Sequence, residues 1–330
     1  MFFKRSNDVH SILDKAYDRV SINQVKPNLS KYYFRYTDSN FIIIRRLLVF
    51  VSNFIMALDL IFYSMLKKNV VAREFSNVAM LLLIPITFLF RKRIFFNINH
   101  NLKLIQKEFP LSIKALCLLG YQFIFFDGSG VLEYIPKKYR NQFHTPLFPV
   151  LDPDGICENV NKSFQGKELK VGIVGDFRSE KGEIVQILSV INKIASINGV
   201  FVNVGARSQH VFRGFEMDKK VRVANTTSES SYYSFIQDVD VLIIFATSVS
   251  YFSRHSGTIM DAVSHGVKVI APNYPVFKSQ ITHPCEVGYL YNDINDIYNL
   301  ICNHKNEMLI NSVCFSKYTE MRKTIAIEPT

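Results

Sequence analysis

From residue 168 onward the chain switches repeatedly between two periodicities, and this alternation limits its possible folds more than any other feature. ELKVGIVGDF (168–177) is a short apolar run that ends at glycine, the pattern of a strand buried on both faces. Residues 180–197 then carry Ile184, Ile187, Leu188, Ile191 and Ile194 at helical spacing. GVFVNVGA (199–206) and KVRVAN (220–225) follow as predicted strands. A helix near 229–238 leads to VDVLIIFA (239–246), another buried strand. Helix 256–265 is closed by Gly266 as a C-cap, and VKVIAP (267–272) is the next strand. Strands alternating with helices over short connections predict a doubly wound parallel α/β sheet. Ligands of such sheets bind beyond the carboxyl ends of the strands.

Two stretches at that rim carry chemistry. SRHSGTIMDAVSHGVKVIAP (253–272) opens a helix with Ser256 as N-cap and Gly257 allowing close backbone approach. The exposed N–H groups of the first turn, with the positive end of the helix dipole, form an anion site. Asp261 lies i+4 from Gly257 and i+3 from Thr258 and shares their face, whereas Ile259, Ala262 and Val263 are free to pack on the sheet. A phosphate at the helix start with hydroxyls reaching Asp261 outlines a bound nucleotide sugar. An ordinary capped helix with a solvated Asp fits the same residues. Dipole attraction supplies only about 0.3–1 kcal/mol, so other groups must contribute. VGDFRSEKGE (174–183) offers them: the strand ends in Gly175, and Arg178 and Lys181 follow. Such a pair can clamp a diphosphate, Arg by its planar fork and Lys as a point charge, although a solvated turn also fits. VNVGARSQ (202–209) adds a third rim loop with Gly205 and Arg207.

The first half differs in charge and pattern. Residues 1–150 hold 21 Lys and Arg against 9 Asp and Glu, a net +12, whereas residues 151–330 hold 18 against 19. KKNVVAREF (67–75), RIFFNINHN (93–101) and YQFIFFDGSG (121–130) are predicted strands with helices between them. Asp127–Gly130 reads as a turn. Three prolines, two aspartates and a glycine in TPLFPVLDPDG (145–155) mark a boundary, giving domains 1–150 and 151–330. A last helix, about 305–325, is a candidate to return to the N-terminal domain. The apolar runs 41–68 and 77–93 are edged by Arg and Lys, a combination that suits lipid headgroups better than a nucleic-acid groove. Residues 47–66 have the length of a membrane span but contain Asp59, which favours a buried or interfacial helix. MFFKRSNDVHS has no secretory-signal pattern. Five cysteines without CxxC spacing argue for a reducing compartment and against a disulfide framework or a zinc site.

The order of these motifs resembles the GT-B glycosyltransferases, particularly the large retaining class that includes bacterial polysaccharide and lipopolysaccharide enzymes. The likeness covers about residues 168–300 and rests on strand-Gly-x-x-Arg-x-x-Lys-Gly, the strand before Ala246, and SGTIMDAVSHGVKVIAP. It implies two Rossmann-like domains facing a cleft, Arg178 and Lys181 on the donor diphosphate, the Ser256–Thr258 amides on a phosphate, and Asp261 on the ribose hydroxyls. The class often has two glutamates separated by seven residues. Here Asp261 takes the second position, Ser253 the first, and Lys268 replaces the usual proline. With the first carboxylate missing, Arg254 or His255 becomes the candidate for the transferred sugar or its phosphate. The family often places a His at the end of an early strand, and His100 matches this as the group that positions the acceptor or assists proton transfer. NDVHSILDKA (7–16) is similar to the helix after the family's first strand, without the glycine-rich loop before it.

The resemblance therefore implies transfer of a sugar from a nucleotide-sugar donor to a lipid-linked or polysaccharide acceptor. The expected place is the cytoplasm, peripheral on the anionic inner face of the cell membrane. No cofactor is expected beyond the donor as substrate. No metal is expected, since cationic side chains and amides can stabilise the leaving diphosphate and no Asp-x-Asp motif is present. A nucleic-acid partner is not expected. A sugar-nucleotide epimerase or hydrolase of the same fold and a non-catalytic scaffold of a polysaccharide assembly complex are the alternatives.

Overall fold

The computed structural model describes residues 70–72, 80–81, 84–98, 109–148, 168–175, 184–206, 216–309 and 314–323. Residues 102 and 212 and scattered helical residues between 51 and 66 are also described. The chain divides into two compact units, 1–148 with 324–330 and 149–323.

The first unit holds four parallel strands in the order β1 (Val70–Ala72), β2 (Ile94–Asn97), β3 (Gln122–Ile124) and β4 (Phe143–His144). Short α1 (Ile84–Thr87) runs into a 3-10 turn, Phe88–Phe90, ahead of β2, and α2 (Leu111–Leu118) precedes β3. Ile94, Phe96, Ile113, Leu116, Tyr121 and Phe123 are fully buried or nearly so. Phe123 stacks on Phe143 at 4.9 Å, which helps to hold the two-residue β4 against the sheet. Three of these strands fall in the stretches predicted from sequence; β4 is too short for any periodicity to announce it.

The second unit is a six-stranded, fully parallel sheet in the order β10-β9-β8-β5-β6-β7. Its strands are β5 (Leu169–Gly175), β6 (Val200–Ala206), β7 (Val221–Asn225), β8 (Val241–Ile243), β9 (Lys268–Pro272) and β10 (Gly288–Tyr291). The connecting helices are α3 (Ile184–Ala195), α4 (Glu229–Gln237), short α5 (Ser248–Tyr251), α6 (Gly257–Ser264), α7 (Pro275–Thr282) and α8 (Asp296–Leu309). The sheet interior is the apolar runs themselves: Val171, Ile173, Val202, Val204, Val241, Ile243 and Ile270 are essentially inaccessible to water. Edge strand β7 is only half-buried and carries Arg222 and Asn225, which discourages pairing with another chain. On α6 the residues Ile259, Ala262 and Val263 are fully buried, the core face expected from their spacing. Gly266 closes the helix at φ 68°, where a Cβ would be strained.

The last helix, α9 (Cys314–Lys323), belongs to the second unit and packs against α6 and α7. Arg322 is fully buried, donates to the carbonyls of His283 (2.7 Å) and Ser279 (3.3 Å), and lies 4.5 Å over the Tyr318 ring. Tyr318 donates to the Gln280 carbonyl. These bonds pin α9 to α7. The cysteine expectation needs one correction: Cys285 is disulfide-bonded, since an odd cysteine count does not preclude a single pair. Cys117 and Cys302 are free, and burial pushes the Cys117 thiol up to about 12 while Cys302 is exposed. Among the described residues no helix is long and apolar enough to cross a membrane.

Candidate functional site

In chain order the second sheet reads 3-2-1-4-5-6 from β7 to β10, so the order reverses between β5 and β8. That reversal leaves a crevice at the carboxyl ends of the two strands, where helices depart to opposite faces. Gly175 ends β5 on this edge, opposite Ala206 of β6. Gly205 lies within β6 instead of in the rim loop. A Cβ there would sit 2.7 Å from Thr226 and 3.2 Å from Phe235, so the glycine permits close packing. Arg178, Lys181, Arg207 and His100 lie outside the described residues, as do Arg73 and Glu74 near the end of the predicted strand 67–75, Asp59 and residues 7–16.

Beyond β8 two tyrosines anchor the chain at Ile244 and Ala246. Tyr291 donates to the Ile244 carbonyl at 2.9 Å and Tyr274 to the Ala246 carbonyl at 3.0 Å. Burial raises both phenols above their ordinary value, so they remain donors. After α5 a tight turn bonds Arg254 N–H to the Tyr251 carbonyl (3.2 Å). Arg254 and His255 are half-buried in this turn, immediately before α6. The Arg254 guanidinium sits 5.9 Å from the Tyr251 ring. Ser253, where the family motif has a carboxylate, is buried.

Ser256 occupies the N-cap of α6 in extended conformation, but its side chain makes no capping hydrogen bond. Its backbone is held by fully buried Gln280 of α7. Ser256 N–H donates to Gln280 Oε1 at 3.0 Å, and Gln280 Nε2 donates to the Ser256 carbonyl at 3.2 Å. This modifies the expectation that the amides of Ser256 to Thr258 act together. The Ser256 amide is committed to Gln280, which leaves Gly257 and Thr258 at the helix start. Gly257 is exposed, and a Cβ on it would meet nothing within 4 Å, so the end of the helix dipole opens onto free space.

One turn down, Asp261 does share the Thr258 face, and it has a partner the sequence did not announce. Tyr232 of α4 donates its hydroxyl to Asp261 Oδ2 at 2.9 Å. Thr258 hydrogen-bonds the same phenol. Burial first, and then the Asp261 charge, hold Tyr232 well above its ordinary value of 10, so it stays a neutral donor. Asp261 Oδ2 is thereby fixed in orientation. The Asp261 carbonyl binds His265 Nδ1 at 2.8 Å and Ser264 Oγ at 2.8 Å. His265 stacks on Tyr233 at 5.5 Å, which ties the end of α6 to α4. Lys268, the other departure from the family motif, starts β9 at the opposite edge of the sheet and donates to the Glu307 carbonyl. It is remote from the rim.

At the carboxyl end of β3, in the first unit, Asp127 is buried at φ 54°, a conformation that favours glycine, and its N–H donates to the Pro146 carbonyl at 3.0 Å. His144, at the end of neighbouring β4, bonds Gln122 at 3.1 Å, and burial lowers its pKa. Among the described residues no group of His, Cys, Asp and Glu could hold a metal ion.

Solved structures share this arrangement of strands and helices. The α,α-trehalose 6-phosphate synthase of Burkholderia multivorans aligns with 94% of this chain and 79% of its own, at 11% identity and TM-score 0.54. Anabaena HepE in complex with UDP aligns with 83% of this chain and 77% of its own, at 12% identity and TM-score 0.54. TarM aligns with 77% of this chain at 17% identity and TM-score 0.51. The fold is GT-B. The chain spans about half the length of TarM, 51%. No protein-family model matches the chain, and no curated protein does. At these identities the likeness establishes the GT-B fold, and activity must be argued from the site.

Proposed function

We propose that this GT-B chain is a glycosyltransferase that moves a sugar from a nucleotide-sugar donor to a lipid-linked or polysaccharide acceptor. The observation that carries the reading is the α6 rim. Gly257 leaves the helix start open to an anion, and Asp261, oriented by Tyr232, waits one turn below for a vicinal diol. A diphosphate followed by a ribose would call on both kinds of group. The UDP complex of HepE supports trying uridine diphosphate sugars first.

In this reading the Gly257 and Thr258 amides take the distal phosphate, and Arg178 and Lys181, which follow Gly175 in the sequence, neutralise the rest of the diphosphate. Asp261 accepts hydrogen bonds from the ribose. Arg254 and His255 contact the transferred sugar, and His100 positions the acceptor hydroxyl. The acceptor oxygen bonds to the anomeric carbon, the sugar–phosphate bond breaks, the nucleoside diphosphate leaves, and the hydroxyl proton passes to His100 or solvent. Charge stabilisation by amides and cations requires no metal. Gly205 serves the sheet rather than the donor. The chain works in the cytoplasm on the inner face of the cell membrane, in surface-polysaccharide synthesis. One observation favours a second, non-catalytic reading: a buried Ser253 cannot offer a carboxylate to the donor sugar.

A thermal-shift screen against a nucleotide-sugar panel tests the donor site, because a ligand that binds only the folded state raises Tm. One nucleotide sugar is expected to do so, with the shift reduced in Lys181→Ala and Asp261→Ala. No shift with any member overturns the reading. A shift without nucleoside diphosphate release in the presence of membrane-extracted acceptor selects the non-catalytic alternative.

A further inference from the structure

The helical segments that precede three parallel strands of the first sheet end at one edge. Helical residues run to Met65 before β1, the Arg91–Arg93 turn leads into β2, and Gly120 follows α2 before β3. Because the strands are parallel, all three turns lie at the amino edge of that sheet. Contacts between them are on hand. Arg93 Nη1 donates to the Ser64 carbonyl at 2.9 Å, and a Cβ on Gly120 would lie 3.6 Å from Arg91 Nε.

The polarity of this edge is inverted. Leu89 is 82% exposed, Leu118 68%, Met65 62%, Phe62 59% and Leu66 52%, while Ser64 among them is fully buried. Exposed apolar side chains of this size, carried by turns that touch through Arg93–Ser64 and Arg91–Gly120, mark a contact surface. The same turn supplies Arg91, Lys92 and Arg93. Arg91 Nη1 and Arg93 Nη1 donate to the main-chain carbonyls of Phe88 and Ser64, which leaves their charge unneutralised. Among the described residues none of the three has a carboxylate partner. The described acidic residues of this unit, Asp127 and Glu133, follow the carboxyl end of β3.

We propose that this amino edge docks on an anionic lipid bilayer, with the five apolar side chains in the interfacial zone and the three basic groups at the headgroups. Charge complementarity selects this occupant. A second copy would bring like charges together, and a nucleic acid would leave five large apolar side chains in water. The inference deepens the membrane part of the proposed function and rests on that reading for its purpose, though its geometry belongs to the first unit alone.

The test is co-sedimentation of the full chain with phosphatidylcholine vesicles, with and without phosphatidylglycerol, at moderate salt. Binding is expected only to the anionic vesicles. Leu89→Ser and Leu118→Ser should each weaken partitioning roughly tenfold, and Lys92→Glu by roughly fivefold or more. All three positions are exposed, so Tm should not move. Failure of the wild type to sediment overturns the proposal, as does unchanged binding in the three variants. A concentration-dependent dimer that Leu89→Ser abolishes would assign the face to a second copy and overturn it too. Vesicle binding lost with donor binding intact refutes this surface alone; the converse refutes the donor site alone.

Discussion

Replacing Gly257 with alanine separates an anion-binding helix start from an ordinary one. A Cβ there touches nothing within 4 Å, and the position lacks the positive φ that would strain it. A methyl group therefore costs the free protein nothing and removes the backbone entropy of a helical glycine, a gain of up to about 0.5–1 kcal/mol. For a unit of this size that corresponds to a Tm higher by about 1–4 °C. The same methyl occupies space through which a phosphate would reach the Gly257 and Thr258 amides. Losing one hydrogen bond to a charged group removes about 1.5–3 kcal/mol, or about 10- to 100-fold in Kd. Calorimetric unfolding of the ligand-free variant and titration with the best nucleotide sugar read the two effects independently. Higher stability with weaker binding is the expected pair. Donor affinity equal to wild type would refute an anion at this helix, and a lower Tm would refute the open space around Gly257.

Tyr232→Phe removes the donor to Asp261 Oδ2 and should weaken nucleotide-sugar binding about tenfold. Loss of discrimination against the 2′-deoxy donor should accompany it, which titration of both nucleotides would show and mere loosening would not. Gln280→Leu keeps the volume but leaves the buried Ser256 N–H and carbonyl unpaired, so unfolding in urea should cost about 2–4 kcal/mol less. His144 has a folded pKa below the ordinary 6.5, so the unfolded chain binds its proton first on acidification. Stability from this group is present above pH about 6.5 and lost as pH falls through the folded value. Urea midpoints between pH 7.5 and 5.5 should fall less steeply in His144→Gln, and an unchanged slope would contradict that assignment.

Local patterns made most of the second unit legible. Val171–Gly175 and Val241–Ile243 are apolar runs whose continuity states burial on both faces, and Gly266 stops α6 where the apolar spacing ends. Ile259, Ala262 and Val263 fall on the core face because a helix repeats every 3.6 residues. That Thr258 and Asp261 share a face was legible for the same reason, wherever the helix sits. The first unit was legible only as strand segments. Its β4 is two residues long, and its outward apolar side chains violate the rule by which periodicity is interpreted.

The order of strands and helices, the parallel sheet it demands and the charge contrast between the halves were thus determined by the sequence itself, because each depends on neighbours a few residues apart. Only the tertiary structure decided that β5 lies against β8, that Gln280 takes the Ser256 amide, and that Tyr232 holds Asp261. Those partners are brought together from 24 to 70 residues away. No local propensity encodes such pairings; they follow from which buried faces satisfy one another when the helices pack on the sheet.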